Sequence, residues 1–132
     1  MANSKSSGSG EIINITKDLL GAIDRRDYDA YRDMTVPHIS CFEPETMGNV
    51  VDGLEFHKYY FDRFPAEDCP VTIVNPRVHM IGTDGACIAY IRLRQRMNAP
   101  GKAVTVKSQE TRVWQKINGK WKNIHFHSTA SE

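Results

Sequence analysis

Apolar residues recur at helical spacing in the first third of the chain and at every second position in the last half. In "EIINITKDLLGAID", residues 11–24, Ile12, Ile15, Leu19, Leu20 and Ile23 lie near a 3.6-residue repeat and predict a helix with one apolar stripe. A short second helix is expected from Asp27 through about Met34, ended by Pro37. "ISCF" (39–42) reads as a brief strand and "EPETMGN" (43–49) as a loop. "LEFHKYYFDRF" (54–64) is aromatic on every side, and its length favours a mostly buried helix over a strand.

From Val71 the period becomes two. Strands are expected at about 71–81, 86–97, 103–117 and 121–128, separated by Thr83-Asp84-Gly85, Ala99-Pro100-Gly101 and Asn118-Gly119. Helices followed by antiparallel hairpins predict an α+β fold whose sheet buries one face under the early helices. The opening "MANSKSSGSG" has nothing to bury, so residues 1–10 are expected to be a flexible linker or cloning remnant and 11–132 the folded domain.

Parity sorts the strand "ACIAYIRLRQRM" into two faces. Cys87, Ala89, Ile91, Leu93 and Met97 share one, which reads as the core side; Tyr90, Arg92, Arg94 and Arg96 share the other, which reads as solvated. Arg92 lies nearest the strand centre, where a curved sheet could enclose it. The last hairpin has two readings. A two-residue type I′ turn at Asn118-Gly119 sets Arg112 opposite His125. A three-residue loop with Gly119 in a bulge puts Arg112 on a face with Ile124, Phe126 and Ser128, and Trp121, His125 and His127 on the other. In both, Arg92 and Arg112 come from neighbouring strands, and two guanidiniums on one concave face make an anion site.

A length of 132 residues suits one domain. The balance of 17 Lys+Arg against 16 Asp+Glu offers no basic field for nucleic acid or membrane. No apolar run approaches the roughly 18 residues of a span. Cys41, Cys69 and Cys87 are an odd number without CxxC spacing, which predicts reduced thiols and a cytoplasmic setting. Candidate chemistry is sparse. His57 sits at helical spacing from Tyr60, Phe61 and Phe64, where a hydrogen-bonded core histidine competes with a general base. Glu43 and Glu45 flank Pro44 as an expected exposed pair, and Glu110, on one face with Arg112, is explained by pairing. His125 and His127 lack a third ligand at supporting spacing, so neither a metal nor another cofactor is expected, and no GxSxG or phosphate loop supplies a nucleophile site.

Four blocks then carry a resemblance: "FEPETMGNVVDGLEFHKYYF", "NPRVHMIGTDGACIAYIR", "QETRVW" and "GKWKNIHFH". Together they resemble the association, or hub, domain of calcium/calmodulin-dependent protein kinase II, from about Glu11 to His127. The resemblance implies the nuclear transport factor 2-like cone, with a long N-terminal helix and shorter helices in a strongly curved antiparallel sheet. It implies a non-catalytic module that forms two stacked rings, usually dodecamers or tetradecamers, with itself and related hub or kinase chains. It also implies a pocket for small carboxylates built from His57, Arg92 and Arg112, and it favours the three-residue bulged hairpin. A family arginine follows "HFH"; here that position is Ser128, which removes one guanidinium and leaves Arg94 as a substitute at the rim. "DRFPAEDCP" is shorter than the family's loop and lacks its tryptophan. The alternative is an isomerase- or cyclase-like enzyme of the same superfamily, which needs a carboxylate base beside an oxyanion donor.

Overall fold

One helical layer fills the hollow of one sheet in the computed structural model, which describes residues 2–66 and 70–131. Helix α1 spans Ala2–Arg25, α2 Tyr28–Asp33 and α3 Leu54–Arg63, with a 3-10 turn at Pro44–Thr46. The strands are β1 (Thr35–Phe42), β2 (Val51–Asp52), β3 (Thr72–Ile81), β4 (Gly85–Ala99), β5 (Lys102–Ile117) and β6 (Lys120–Ser131). They lie in the order β2-β1-β6-β5-β4-β3, all antiparallel except β1 beside β6. Cys69 falls outside the described residues.

The stripe read in the sequence seats α1: Ile12, Leu19, Leu20 and Ala22 are fully buried against Ile88 and Trp114 of the sheet. The helix continues N-terminally over residues read as a linker. A Cβ on Gly8 would meet Met80 of β3 at 3.5 Å, so this end of the helix still runs along the sheet, and a helix nucleated by its buried stripe propagates cheaply. Asp27 caps α2 by accepting the Ala30 N–H at 3.1 Å. Pro37 does not follow a helix directly but lies inside β1, longer than expected, where the ladder to β6 is interrupted between Thr35 and Ser40. A residue without an N–H fits that gap. Helix α3 is one-sided rather than mostly buried: His57 and Phe61 face inward, one turn apart, while Phe56 and Tyr59 are exposed.

The face assignment on β4 is reversed. Ala86, Ile88, Tyr90 and Arg92 are buried beneath the helices, and Cys87, Ala89, Ile91 and Leu93 look outward, only half covered. Parity found the two sets but the more apolar one is outside, because the inner polar groups find partners within the fold. Arg96 and Met97 lie beyond the helical layer and are exposed.

The last hairpin follows neither register considered. Ile117 pairs with Lys120, and Asn118 and Gly119 both have positive φ (52° and 79°), as a two-residue I′ turn requires. The register then shifts between Val113 and Trp114, where Asn123 and His125 bracket an extra residue, Ile124. Arg112 therefore pairs with Phe126, with Ser128 on the same face, and no bulge at the tip is needed. Trp121 joins the inner core rather than the face of His125 and His127.

The reversed faces make a direct prediction. Ile88→Ala should cost roughly 2–5 kcal/mol in urea unfolding, whereas Ala89→Ser, one residue along on the outer face, should cost less than about 1 kcal/mol. Equal losses would contradict the assignment.

Candidate functional site

Strand alternation aims Tyr90 and Arg92 of β4 and Ser108, Glu110 and Arg112 of β5 into the hollow, and β4 and β5 pair with Tyr90 opposite Glu110 and Arg92 opposite Ser108. The carboxylate of Asp24, in the last turn of α1, accepts from Arg92 Nη2 at 2.5 Å. Glu110 lies between both guanidiniums, 3.8 Å from Arg92 and 3.7 Å from Arg112. Tyr90 donates to Glu110 at 2.6 Å and accepts from Arg112 Nε at 2.9 Å, and Arg112 Nη1 donates to Asn123 Oδ1 at 2.8 Å. Ser108 and Ser128 each donate to Glu110, at 3.1 and 3.2 Å.

Two buried cations thus face two buried anions, and each is hydrogen-bonded. Burial would push the Glu110 carboxyl up, but the charges of Arg112 and Arg92 and bonds from Tyr90 and Ser108 outweigh it and hold it below the ordinary value. Two polar atoms are left over: Arg92 Nε and Asp24 Oδ2 are buried with no hydrogen-bond partner. Arg94 is half-buried on the face of Arg92.

His57 shares a neighbour with Arg112: the Phe126 ring lies 4.4 Å from the guanidinium and 5.5 Å from the imidazole. Its Nδ1 is 2.9 Å from the Tyr31 hydroxyl. Its Nε2 is 3.3 Å from Cys41 Sγ and 3.8 Å from Glu43 Oε2, and Cys41 Sγ is 3.5 Å from the same oxygen. Burial, then the charge of Arg112, lowers the histidine to about 4. Burial and the neighbouring Glu45 raise Glu43 to about 7, and burial and Glu43 raise the Cys41 thiol to about 12. Glu43 also lines a cavity of about 430 Å³ with Thr46, His127 and Ser128.

Of the residues singled out in the sequence, Arg92 and Arg112 meet at Glu110, with Ser128 hydrogen-bonded to the same carboxylate; His57 is near but has a separate set of partners. Glu43 is half-buried rather than part of an exposed pair, while Glu45 is exposed. Outside the hollow, His125 Nδ1 is 2.7 Å from Ser40 Oγ, and His127 packs on Phe42. Asp24, Tyr31, Cys41, Tyr90 and Asn123 carried no spacing signal. Tyr90 shares parity with Arg92, which was the one available hint.

The opposing shifts predict an acid profile. Between pH 7 and about 4.5 the folded chain holds more protons at Glu43 than the unfolded chain, so stability rises as pH falls. Between about 6.5 and 4 the unfolded chain holds more at His57, which faces Tyr31, Cys41, Glu43 and Arg112, so stability falls. These contributions oppose each other down to about 4.5, below which the losses at His57 and Glu110 stand alone. In metal-free buffer the melting temperature should therefore be nearly level to about pH 4.5 and then drop. Glu43→Gln should begin losing stability near pH 6.5, by roughly 1–3 kcal/mol in total; parallel profiles would contradict the shifts.

Comparison with known proteins adds a family. The family model described as calcium/calmodulin dependent protein kinase II association domain matches residues 8–132. The calcium/calmodulin-dependent protein kinase type II alpha chain of Drosophila melanogaster is 48% identical over 124 residues, covering 92% of this chain and 23% of that protein. This chain thus spans about a quarter of that relative's length. Among solved structures, the association domain of C. elegans CaMKII aligns with a TM-score of 0.91 at 40% identity, covering 96% of this chain and 98% of that one. A CaMKII hub homology domain from Chlamydomonas reinhardtii gives 0.87 at 39%, covering 95% and 99%. An NTF2-like protein from Cytophaga hutchinsonii, 18% identical, shares the fold with a TM-score of 0.72 over 92% of this chain and 97% of that one.

Proposed function

The chain belongs to the calcium/calmodulin-dependent protein kinase II association-domain family, and from that premise we propose that it is a non-catalytic hub. It assembles with copies of itself into two stacked rings, gathers kinase chains or related hubs around them, and works in the cytoplasm. No helix among the described residues is long and apolar enough to cross a membrane.

The observation that carries this reading is the outer face of the sheet. Cys87, Ala89, Ile91 and Leu93 make an apolar row along β4, joined by Val74 of β3 opposite Ile91 and Val113 of β5 opposite Cys87 and flanked by Arg77, Lys107, Gln109 and Thr111, and the row is only partly buried by the chain's own residues. An apolar surface turned away from the helices is what self-association buries. Phe56, Tyr59 and Ile81 add exposed apolar area elsewhere. The superfamily-enzyme reading draws no comparable support: Glu110 is fixed as an anion between two guanidiniums, and the neighbours of Glu43 are Cys41, Glu45 and His57 rather than an oxyanion donor pair.

Light scattering should give a particle many times the 15.0 kDa chain. Ile91→Glu should shrink it sharply while leaving the circular dichroism unchanged. A wild-type monomer, or a full-size Ile91→Glu particle, would overturn the proposal.

The inner network also supports a small carboxylate as ligand. Arg92 and Arg112 would grip it, His57 would border it, and Arg94 and Ser128 would form its rim. The unpartnered Arg92 Nε is a ready donor, but Asp24 and Glu110 compete for both cations, so weak binding is expected. Glu110→Gln removes the competing charge, and titration with butyrate should then show affinity raised by about tenfold or more. Equal affinity in the two proteins would exclude this pocket.

A further inference from the structure

Cys41 and Glu43 have no task in the hub or carboxylate readings above, and His57 only borders the second, yet the three side chains converge. Their donor atoms are Sγ, Oε2 and Nε2, and they form a triangle with edges of 3.3, 3.5 and 3.8 Å. Bond lengths of about 2.0–2.3 Å at tetrahedral angles would place sulfur, nitrogen and oxygen ligands of zinc roughly 3.4–3.6 Å apart. The observed edges lie within about 0.4 Å of these separations, a difference that small side-chain rotations would close, and we propose that Cys41, Glu43 and His57 bind a divalent zinc ion.

Three further features fit. The donor set is one that zinc accepts, and a thiolate with a carboxylate cancels the ion's two charges while the imidazole stays neutral. The Tyr31 hydroxyl, 2.9 Å from His57 Nδ1, can accept that ring N–H and leave the Nε2 lone pair turned toward Sγ and Oε2. An outer hydrogen bond that fixes the tautomer is the usual companion of a ligating histidine. Of the three ligands only Glu43 lines the cavity of about 430 Å³, so an ion and its water would enter past Glu43. On binding, the thiol proton leaves to solvent and the sulfur's electron pair enters the metal bond. The charge of Arg112 reaches all three ligands and opposes a second cation, and Glu110 and Tyr90, which engage the guanidinium, offset part of it.

The local sequence explains why three elements meet. Cys41 is the last inward position of β1 before the chain leaves the sheet, and Glu43 opens the 3-10 turn that follows, with a left-handed Met47 (φ 54°) closing it. That turn folds Glu43 back over the strand end, where α3 delivers His57.

The test uses the whole chain with Cys69 and Cys87 replaced by alanine, so that Cys41 is the sole thiol. Titration with zinc should show one ion per chain and a higher melting temperature. Titration with Co2+ should give a thiolate-to-cobalt charge-transfer band in the near ultraviolet and the visible bands of a tetrahedral ion. Cys41→Ser should abolish the ultraviolet band and weaken zinc at least tenfold, with the metal-free fold retained by circular dichroism. Glu43→Gln, at the cavity edge, should also weaken zinc without disturbing the core, which keeps the test decisive if the serine variant folds poorly. Tyr31→Phe should leave the stoichiometry intact and lower affinity about tenfold. The absence of a cobalt band in the sole-thiol chain, or zinc affinity unchanged by both Cys41→Ser and Glu43→Gln, would overturn the site. These readouts do not depend on particle mass, so they stand or fall separately from ring assembly.

Discussion

Two guanidiniums inside a small domain are the constraint to which the rest of the structure answers. An isolated charge out of water costs several kcal/mol, and removing one partner of a buried pair typically costs about 3–5 kcal/mol. Arg92 and Arg112 are 6% and 2% exposed, so their counter-charges must come from within. Glu110 is supplied by the strand that carries Arg112, but Asp24 must be brought by α1, and the 2.5 Å contact with Arg92 sets where that helix ends over the sheet. Apolar packing of Ile12, Leu19 and Leu20 holds the helix against the sheet, and the ion pair fixes its position along it. Tyr90, Asn123 and the two serines satisfy most of the remaining lone pairs and protons, and only Arg92 Nε and Asp24 Oδ2 of this network are left without a partner.

That arrangement divides the sheet into faces with different work. The inner one is polar at its centre and sealed by helices; the outer one carries a partly buried apolar row along β4 between more polar strands. In an isolated soluble domain the expected order is the reverse. For a member of an association-domain family the inversion makes sense, because copies can cover the outer row while most of the inner polar groups are satisfied within the chain. The same inversion bears on chemistry, since a carboxylate fixed between two cations is a structural anion rather than a base.

Much of this was legible in residues 11–24 and 71–131, where period alone gave element type. The strand ends moved by three residues or fewer, and the helix read at 54–64 ended one residue early. The inner face of β4 was misread because parity separates two sets without saying which is inside, and hydrophobicity pointed to the wrong one. The hairpin was misread because a bulge at Ile124 shifts the register well away from the turn, and nothing in "NIHFH" marks it. Asp24 was invisible as a partner: it is 68 positions from Arg92, and such pairing is decided only when helix and sheet dock. Cys41, Glu43 and His57 were hidden for the same reason, as their convergence depends on a turn after β1 and on the seating of α3.

The parallel alliance of β1, early in the chain, with β6 at its end has a consequence for how the domain is made. Ser40, Cys41 and Phe42 find their neighbours at His125, Phe126 and His127, and β2 attaches to the sheet only through β1. On a ribosome, the early strand has only the two-residue β2 as a local partner, and its other edge must wait until almost the whole domain has emerged. The final strand is thus the keystone that joins β1 and β2 to the rest of the sheet.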